Sequence, residues 1–121
     1  MTFQRMELGK KGEDIAAEYL RQQGYKIIER NFKNKLGEVD IIAEDKNILC
    51  FVEVKTRRTA NFGSPFEAVT ARKQHKLIRL AESYLQFKKL NNPEMRFDCV
   101  AVFVEEGGDE QVELIKGAFE A

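Results

Sequence analysis

A chain of 121 residues that is 43% apolar, with nine Phe, can fill one core; this excludes wholesale disorder and predicts a single domain over residues 1–121. Twenty Lys and Arg balance twenty Asp and Glu, which excludes a globally basic, histone-like protein. The balance is uneven along the chain: residues 53–89 hold nine basic and three acidic side chains, whereas residues 94–121 hold two basic and eight acidic. The middle of the chain is therefore suited to face a polyanion while the rest stays soluble.

In chain order, GKKGEDIAAEYLRQQG (residues 9–24) comes first. Ile15, Ala16, Tyr19 and Leu20 recur at helical spacing, and Gly24 is a C-terminal stop. Glu13 borders that apolar stripe. YKIIERNF (25–32) and GEVDIIAE (37–44) read as strands, and Asp45-Lys46-Asn47 turns into a third strand at 48–56. RRTANFGSP (57–65) is a polar loop in which Phe62 either packs down or offers a ring to a base. Ser64-Pro65-Phe66-Glu67 fits a capping box. A second helix is expected from Thr70 to about Leu90, with Leu77, Ile78, Ala81, Tyr84 and Leu85 as its core stripe. RFDCVAVFV (96–104) is a nearly continuous apolar strand, and a turn through 105–109 leads to QVELIK (111–116).

The order α-β-β-β-α-β-β predicts an α/β fold: an antiparallel meander of three strands, then a helical crossover to a fourth strand parallel to the third. The result is a mixed sheet flanked by helices. Cys50 and Cys99 fall in strands without a CxxC partner, so buried, reduced thiols are expected rather than zinc or a disulfide framework. There is no apolar leader and no apolar run of about 18 residues. A soluble, cytoplasmic protein without membrane contact is expected.

Two strand positions contradict their apolar surroundings. Asp40 lies inside GEVDII, with Glu38, Asp40 and Ile42 expected on one face and Val39 and Ile41 on the other. Glu53 and Lys55 end the strand LCFVEVK and point the same way. If the two strands pair, Asp40 and Glu53 become neighbours, and two carboxylates with an ammonium near a core must pair or hold a cation. Hard oxygen donors suit Mg²⁺ or Mn²⁺. The residues alone leave a metal site and a strand-end salt bridge equally open. E-x-K is common by chance, and a second copy, Glu44-Asp45-Lys46, falls at a turn.

Asp40, twelve residues, then Glu53-Val54-Lys55 resembles the PD-(D/E)xK nuclease signature without its proline. GKKGEDIAAEYL, RNF, GEVDIIAED, FVEVKTR, FGSP and RFDCVAV together resemble the YraN-type family of small bacterial proteins, over roughly residues 9–104. That family is similar to archaeal Holliday-junction resolvases. The resemblance implies a restriction-endonuclease-like fold, Glu13, Asp40 and Glu53 as metal-binding acids, and Lys55 as the catalytic lysine. Without it, Glu13 reads as an exposed first-turn glutamate. Glu38 is a further candidate ligand or a structural residue, and Asp98 is expected to pair with a base such as Arg96.

Arg57, Arg58, Arg72, Lys73, Lys76 and Arg79 follow this cluster in sequence and are the expected nucleic-acid contacts, to phosphate rather than to bases. His75 is expected at the surface. The leading expectation is a Mg²⁺- or Mn²⁺-dependent endonuclease acting on DNA, branched or damaged, in recombination or repair. One small domain presents one site, so cutting two strands would require a homodimer. The alternative is a non-catalytic nucleic-acid-binding module on the same fold and basic face. A third reading is a protein-interaction domain using the acidic segment 105–120.

Overall fold

A computed structural model describes residues 3–58, 69–105 and 107–121, with side chains described from Leu8 onward. The loop residues 59–65, with Phe62, and the capping box at 64–67 lie outside the described residues. The elements are α1 (Phe3–Gln22), β1 (Lys26–Asn34), β2 (Gly37–Asp45), β3 (Ile48–Arg58), α2 (Ala71–Phe87), β4 (Met95–Val104) and β5 (Glu110–Phe119). The strands form one sheet in the order β1-β2-β3-β4-β5. β3 and β4 are parallel and every other pair is antiparallel, as the expected crossover through the second helix requires. No helix among the described residues is long and apolar enough to cross a membrane.

Local chemistry accounts for the joints. Lys46 and Asn47 both take positive φ, 50° and 70°, which is the two-residue turn that matches the twist of a hairpin. The Thr70 side chain caps α2 by accepting from the Lys73 amide at 3.2 Å. The helices cover opposite faces. Ala16, Ala17 and Leu20 of α1 pack with Ile41, Ala43, Cys50, Val52, Val54, Val100 and Val102. Leu77, Leu80, Ala81 and Tyr84 of α2 pack with Phe32, Val39, Ile42, Phe51 and Phe97. Both cysteines are buried and free, and burial pushes each thiol up to about 12, so they act as small apolar side chains.

Several boundaries differ from the sequence expectation. α1 begins at Phe3, six residues before Gly9, and Leu8 already packs against the α1-side core. β3 runs to Arg58, so Arg57 and Arg58 belong to a strand and not to the loop; β4 continues alongside, pairing Arg58 with Val104. β5 extends to Phe119, whose ring stacks on Phe97 with centroids 4.8 Å apart. In α2, Leu80 is buried and Ile78 and Leu85 only partly so: α2 presents the stripe 77-80-81-84 to the sheet.

The expected alternation in β2 also breaks. Val39 and Ile41, expected on one face, join opposite cores: Val39 faces α2 and Ile41 faces α1, while Ile42 returns to the α2 side. Asp40 is the residue at which the parity flips. Opposite it in β1 stands Asn31, in the left-handed region at φ 55° between the paired residues Arg30–Ile41 and Phe32–Val39. The β2–β3 ladder stops at Ile41–Val52, and beyond it the Asp40 carboxylate accepts from the Val54 amide at 2.8 Å. A side chain thus replaces the backbone partner where the strands part.

A second charged group locks the α1 face. Arg96 donates to both oxygens of Asp98 at 2.8 and 2.9 Å, to Asp45 at 2.8 Å and to the Tyr25 hydroxyl at 3.0 Å. Asp98 also accepts from Tyr25 at 2.8 Å and from the Gly117 amide at 2.9 Å, and Lys116 reaches Asp45 at 3.1 Å. The Arg96 pairing expected for Asp98 is present. Asp45, unremarkable as part of a second E-x-K, is a buried member of this network, and the Arg96 guanidinium holds its carboxyl below the usual carboxylate range.

Candidate active site

Acids from three elements, β2, β3 and α1, converge where β2 and β3 part. Glu53 sits between Val52 and Val54, which face α1, so its own side chain emerges on the α2 side. It is only 5% exposed. Its Oε1 is shared by two ammoniums, Lys55 Nζ and Lys73 Nζ, each at 3.4 Å. Its Oε2 is buried and has no hydrogen-bond partner among the described residues. Asp40, half-buried in the fork, is pushed up to about 7 by burial first and by the Glu53 charge second, against the lowering effect of the Val54 amide; Glu13 and Glu38 add to the upward push.

Glu13 arrives from α1. Gly12 makes that approach possible, because a Cβ there would collide with the Thr56 side chain of β3. Burial and then the Glu38 charge raise the Glu13 carboxyl, while Arg30 and Asn31 oppose the shift. With its nitrogen turned toward the acids, the Asn31 amide donates to Glu38 Oε1 at 2.7 Å and to Glu13 Oε1 at 2.9 Å. One amide therefore ties the helix acid to the strand acid. The sequence pattern alone does not mark Asn31 as a site residue; an Asn inside a strand pattern, in the stretch RNF, is the signal it offers.

The expected residues divide into groups. Asp40, Glu53 and Lys55 come together, and Glu13 reaches Asp40 electrostatically from the α1 side, where Glu38 joins it. Among the described residues, no three His, Cys, Asp or Glu side chains form a ready-made cage for a metal ion. Even so, the donor set fits a hard divalent cation. Hard oxygens predominate, one buried carboxylate oxygen lacks a donor among the described residues, and neighbouring acids destabilise one another's charge. Asp40 and Glu53 would hold such an ion, with Glu13 at its edge.

The basic residues divide too. Arg72, Lys76 and Arg79 line one groove of about 420 Å³ on α2, with Leu36 and His75. Lys73, on the same helix, points instead at Glu53. Arg57 is half-buried and donates back to the Thr56 carbonyl at 3.0 Å, whereas Arg58 is exposed.

Comparison with known proteins gives a family. The model of the "Uncharacterised protein family UPF0102" matches residues 12–102. A UPF0102 protein of Syntrophotalea carbinolica is 50% identical over 120 residues, covering 99% of this chain and 97% of its own length. A second, from Caldicellulosiruptor saccharolyticus, is 49% identical over 95% of this chain and 98% of its own. A third, from Clostridium botulinum, is 46% identical over 99% of both chains.

Proposed function

Since the chain belongs to the UPF0102 family, and membership by itself assigns no chemistry, we propose from the site that it is a divalent-metal-dependent nuclease with a restriction-endonuclease-like fold, hydrolysing phosphodiester bonds in DNA. The observation that carries the reading is the pair Asp40 and Glu53: two carboxylates kept in a partly desolvated fork, one oxygen without a donor, next to an ammonium. Asp98, a buried acid of this same protein, has donors on both oxygens, so the deficit at Glu53 calls for a cation.

Mg²⁺ or Mn²⁺, when bound, would supply Lewis acidity toward a phosphate oxygen and a more acidic water. The residues do the rest. Asp40 and Glu53 fix where positive charge sits. Glu13, held by Asn31 and flanked by Glu38, borders the same space from α1. Lys55, anchored two residues along the strand from Glu53, orients the attacking water and stabilises charge on the phosphate oxygens as the bond to the leaving oxygen breaks. Arg72, Lys76 and Arg79 grip backbone phosphates along the α2 groove, and Arg58 extends the positive surface from β3. Such contacts select polyanion shape rather than sequence, and branched or damaged DNA in recombination or repair fits them. Cutting both strands with one small site requires two copies of the chain.

The test is cleavage of single-stranded, duplex and four-way-junction DNA with Mg²⁺ or Mn²⁺. Asp40→Asn and Glu53→Gln should each lower cleavage by at least about a hundredfold while binding persists. Arg79→Ala should weaken binding uniformly and reduce the slope of log affinity against log salt by about one. One observation favours a second reading, a non-catalytic nucleic-acid-binding module: Lys55 and Lys73 already pair with Glu53. Salt-sensitive binding with no cutting under either metal would select it.

A further inference from the structure

We infer that Lys73 couples cation binding to nucleic-acid binding, its ammonium holding Glu53 in the free protein and passing to a phosphate when both ligands are bound. The inference rests on the nuclease reading and adds a regulatory device to that site.

Two ammoniums meet one carboxylate oxygen of Glu53, each at 3.4 Å, and they differ in freedom. Lys55 leaves the same strand two residues on and its side chain is 19% exposed; Lys73 comes from α2 and is 37% exposed. Lys73 is therefore the exchangeable partner. Its helical turn need not move, because the Thr70 cap fixes the Lys73 amide. Its neighbours Arg72 and Lys76 line the basic groove, so the lysine stem stands between the acids and the phosphate path. A cation entering at Glu53 repels the Lys73 ammonium, and a phosphate in the groove attracts it. Each ligand thus breaks the same ion pair, and whichever binds first removes an obstacle to the other. Linkage makes the effect reciprocal: the factor by which the metal tightens DNA binding equals the factor by which DNA tightens metal binding.

The pair is not an ordinary surface salt bridge, which would contribute little and couple nothing. The Glu53 side chain is 6% exposed, so its partners act at a desolvated carboxylate.

The experiment uses the full chain and a phosphorothioate DNA duplex that resists cleavage. Fluorescence anisotropy gives duplex affinity with and without saturating Mn²⁺ at constant ionic strength, and calorimetry gives Mn²⁺ affinity of the protein alone. Wild type should bind the duplex at least about fivefold more tightly with Mn²⁺, the lower end of ordinary coupling between sites. Lys73→Met should bind Mn²⁺ more tightly than wild type when alone and lose most of the Mn²⁺-dependent gain in duplex affinity. Lys73→Arg should restore the gain. Arg79→Met should weaken duplex binding and keep it. An unchanged Mn²⁺ affinity and an undiminished gain in Lys73→Met would make Lys73 a simple phosphate contact and overturn the inference, leaving the nuclease reading intact. A wild-type protein that binds neither Mn²⁺ nor the duplex would overturn both.

Discussion

Asp98 and Glu53 are buried acids, 1% and 5% exposed, one register step apart on the parallel strands β4 and β3 and on opposite faces of the sheet. Asp98 is saturated. Arg96 grips both its oxygens, and Tyr25 and the Gly117 amide add further donors. Glu53 has one oxygen between two ammoniums at 3.4 Å and another with no donor among the described residues, next to an Asp40 whose charge it opposes. Burial alone therefore says little about the role of an acid. The informative quantity is whether its hydrogen-bonding capacity is filled: a filled network fixes strands, and a deficit leaves room for a ligand.

The contrast breaks most sharply in stability. Asp98→Ala leaves the Arg96 guanidinium without its bidentate partner and should cost about 3–5 kcal/mol in denaturant unfolding. Glu53→Gln gives up two longer ion pairs at 3.4 Å but also removes the charge that opposes Asp40, and should cost less than about half as much in the same measurement without metal. A comparable loss from both substitutions would make Glu53 a structural acid and erase the distinction.

A smaller effect is expected at Asn31. Asn31→Gly keeps the backbone at φ 55° accessible but removes the amide that ties Glu13 to Glu38. Mn²⁺ affinity should fall about tenfold, as for other residues that orient ligands, with the fold preserved by circular dichroism. If affinity is unchanged, Glu13 lies outside the cation site, and the site contracts to Asp40 and Glu53.

A further effect is a pH dependence of stability. The Asp40 pKa rises from 3.8 unfolded to about 7 folded, so between those values the folded state binds more protons than the unfolded one. Stability attributable to Asp40 is then greatest below about pH 4 and declines as pH rises toward 7. In metal-free urea titrations, Asp40→Asn should retain an acceptor for the Val54 amide and gain on wild type as pH rises through this window. A difference that runs the opposite way would mean that Asp40 is stabilised by its neighbours, contrary to the burial and like-charge origin of its shift.

The sequence by itself determined the seven elements and their order, because apolar periodicity is a local property and each turn or cap carries its own chemistry, as at Lys46–Asn47 and Thr70. It also exposed Asp40 and Glu53 as charges out of place, and a family resemblance over residues 9–104 added Glu13 and Lys55. What it left undetermined depends on contacts between residues distant in the chain. Strict alternation put Val39 and Ile41 on one face; the tertiary structure separated them, because Asp40 turns out of the ladder to meet the Val54 amide, 14 residues away. Nearness in sequence grouped Lys73 with Arg72, Lys76 and Arg79, and only the packing of α2 over β3 directed it to Glu53 instead. Asp45 looked like a turn residue until β4 and β5 brought Arg96 and Lys116 to it. Whether a buried charge is filled or left wanting is decided by partners that meet only when the chain has folded, and that decision separates the structural acids of this protein from its candidate active site.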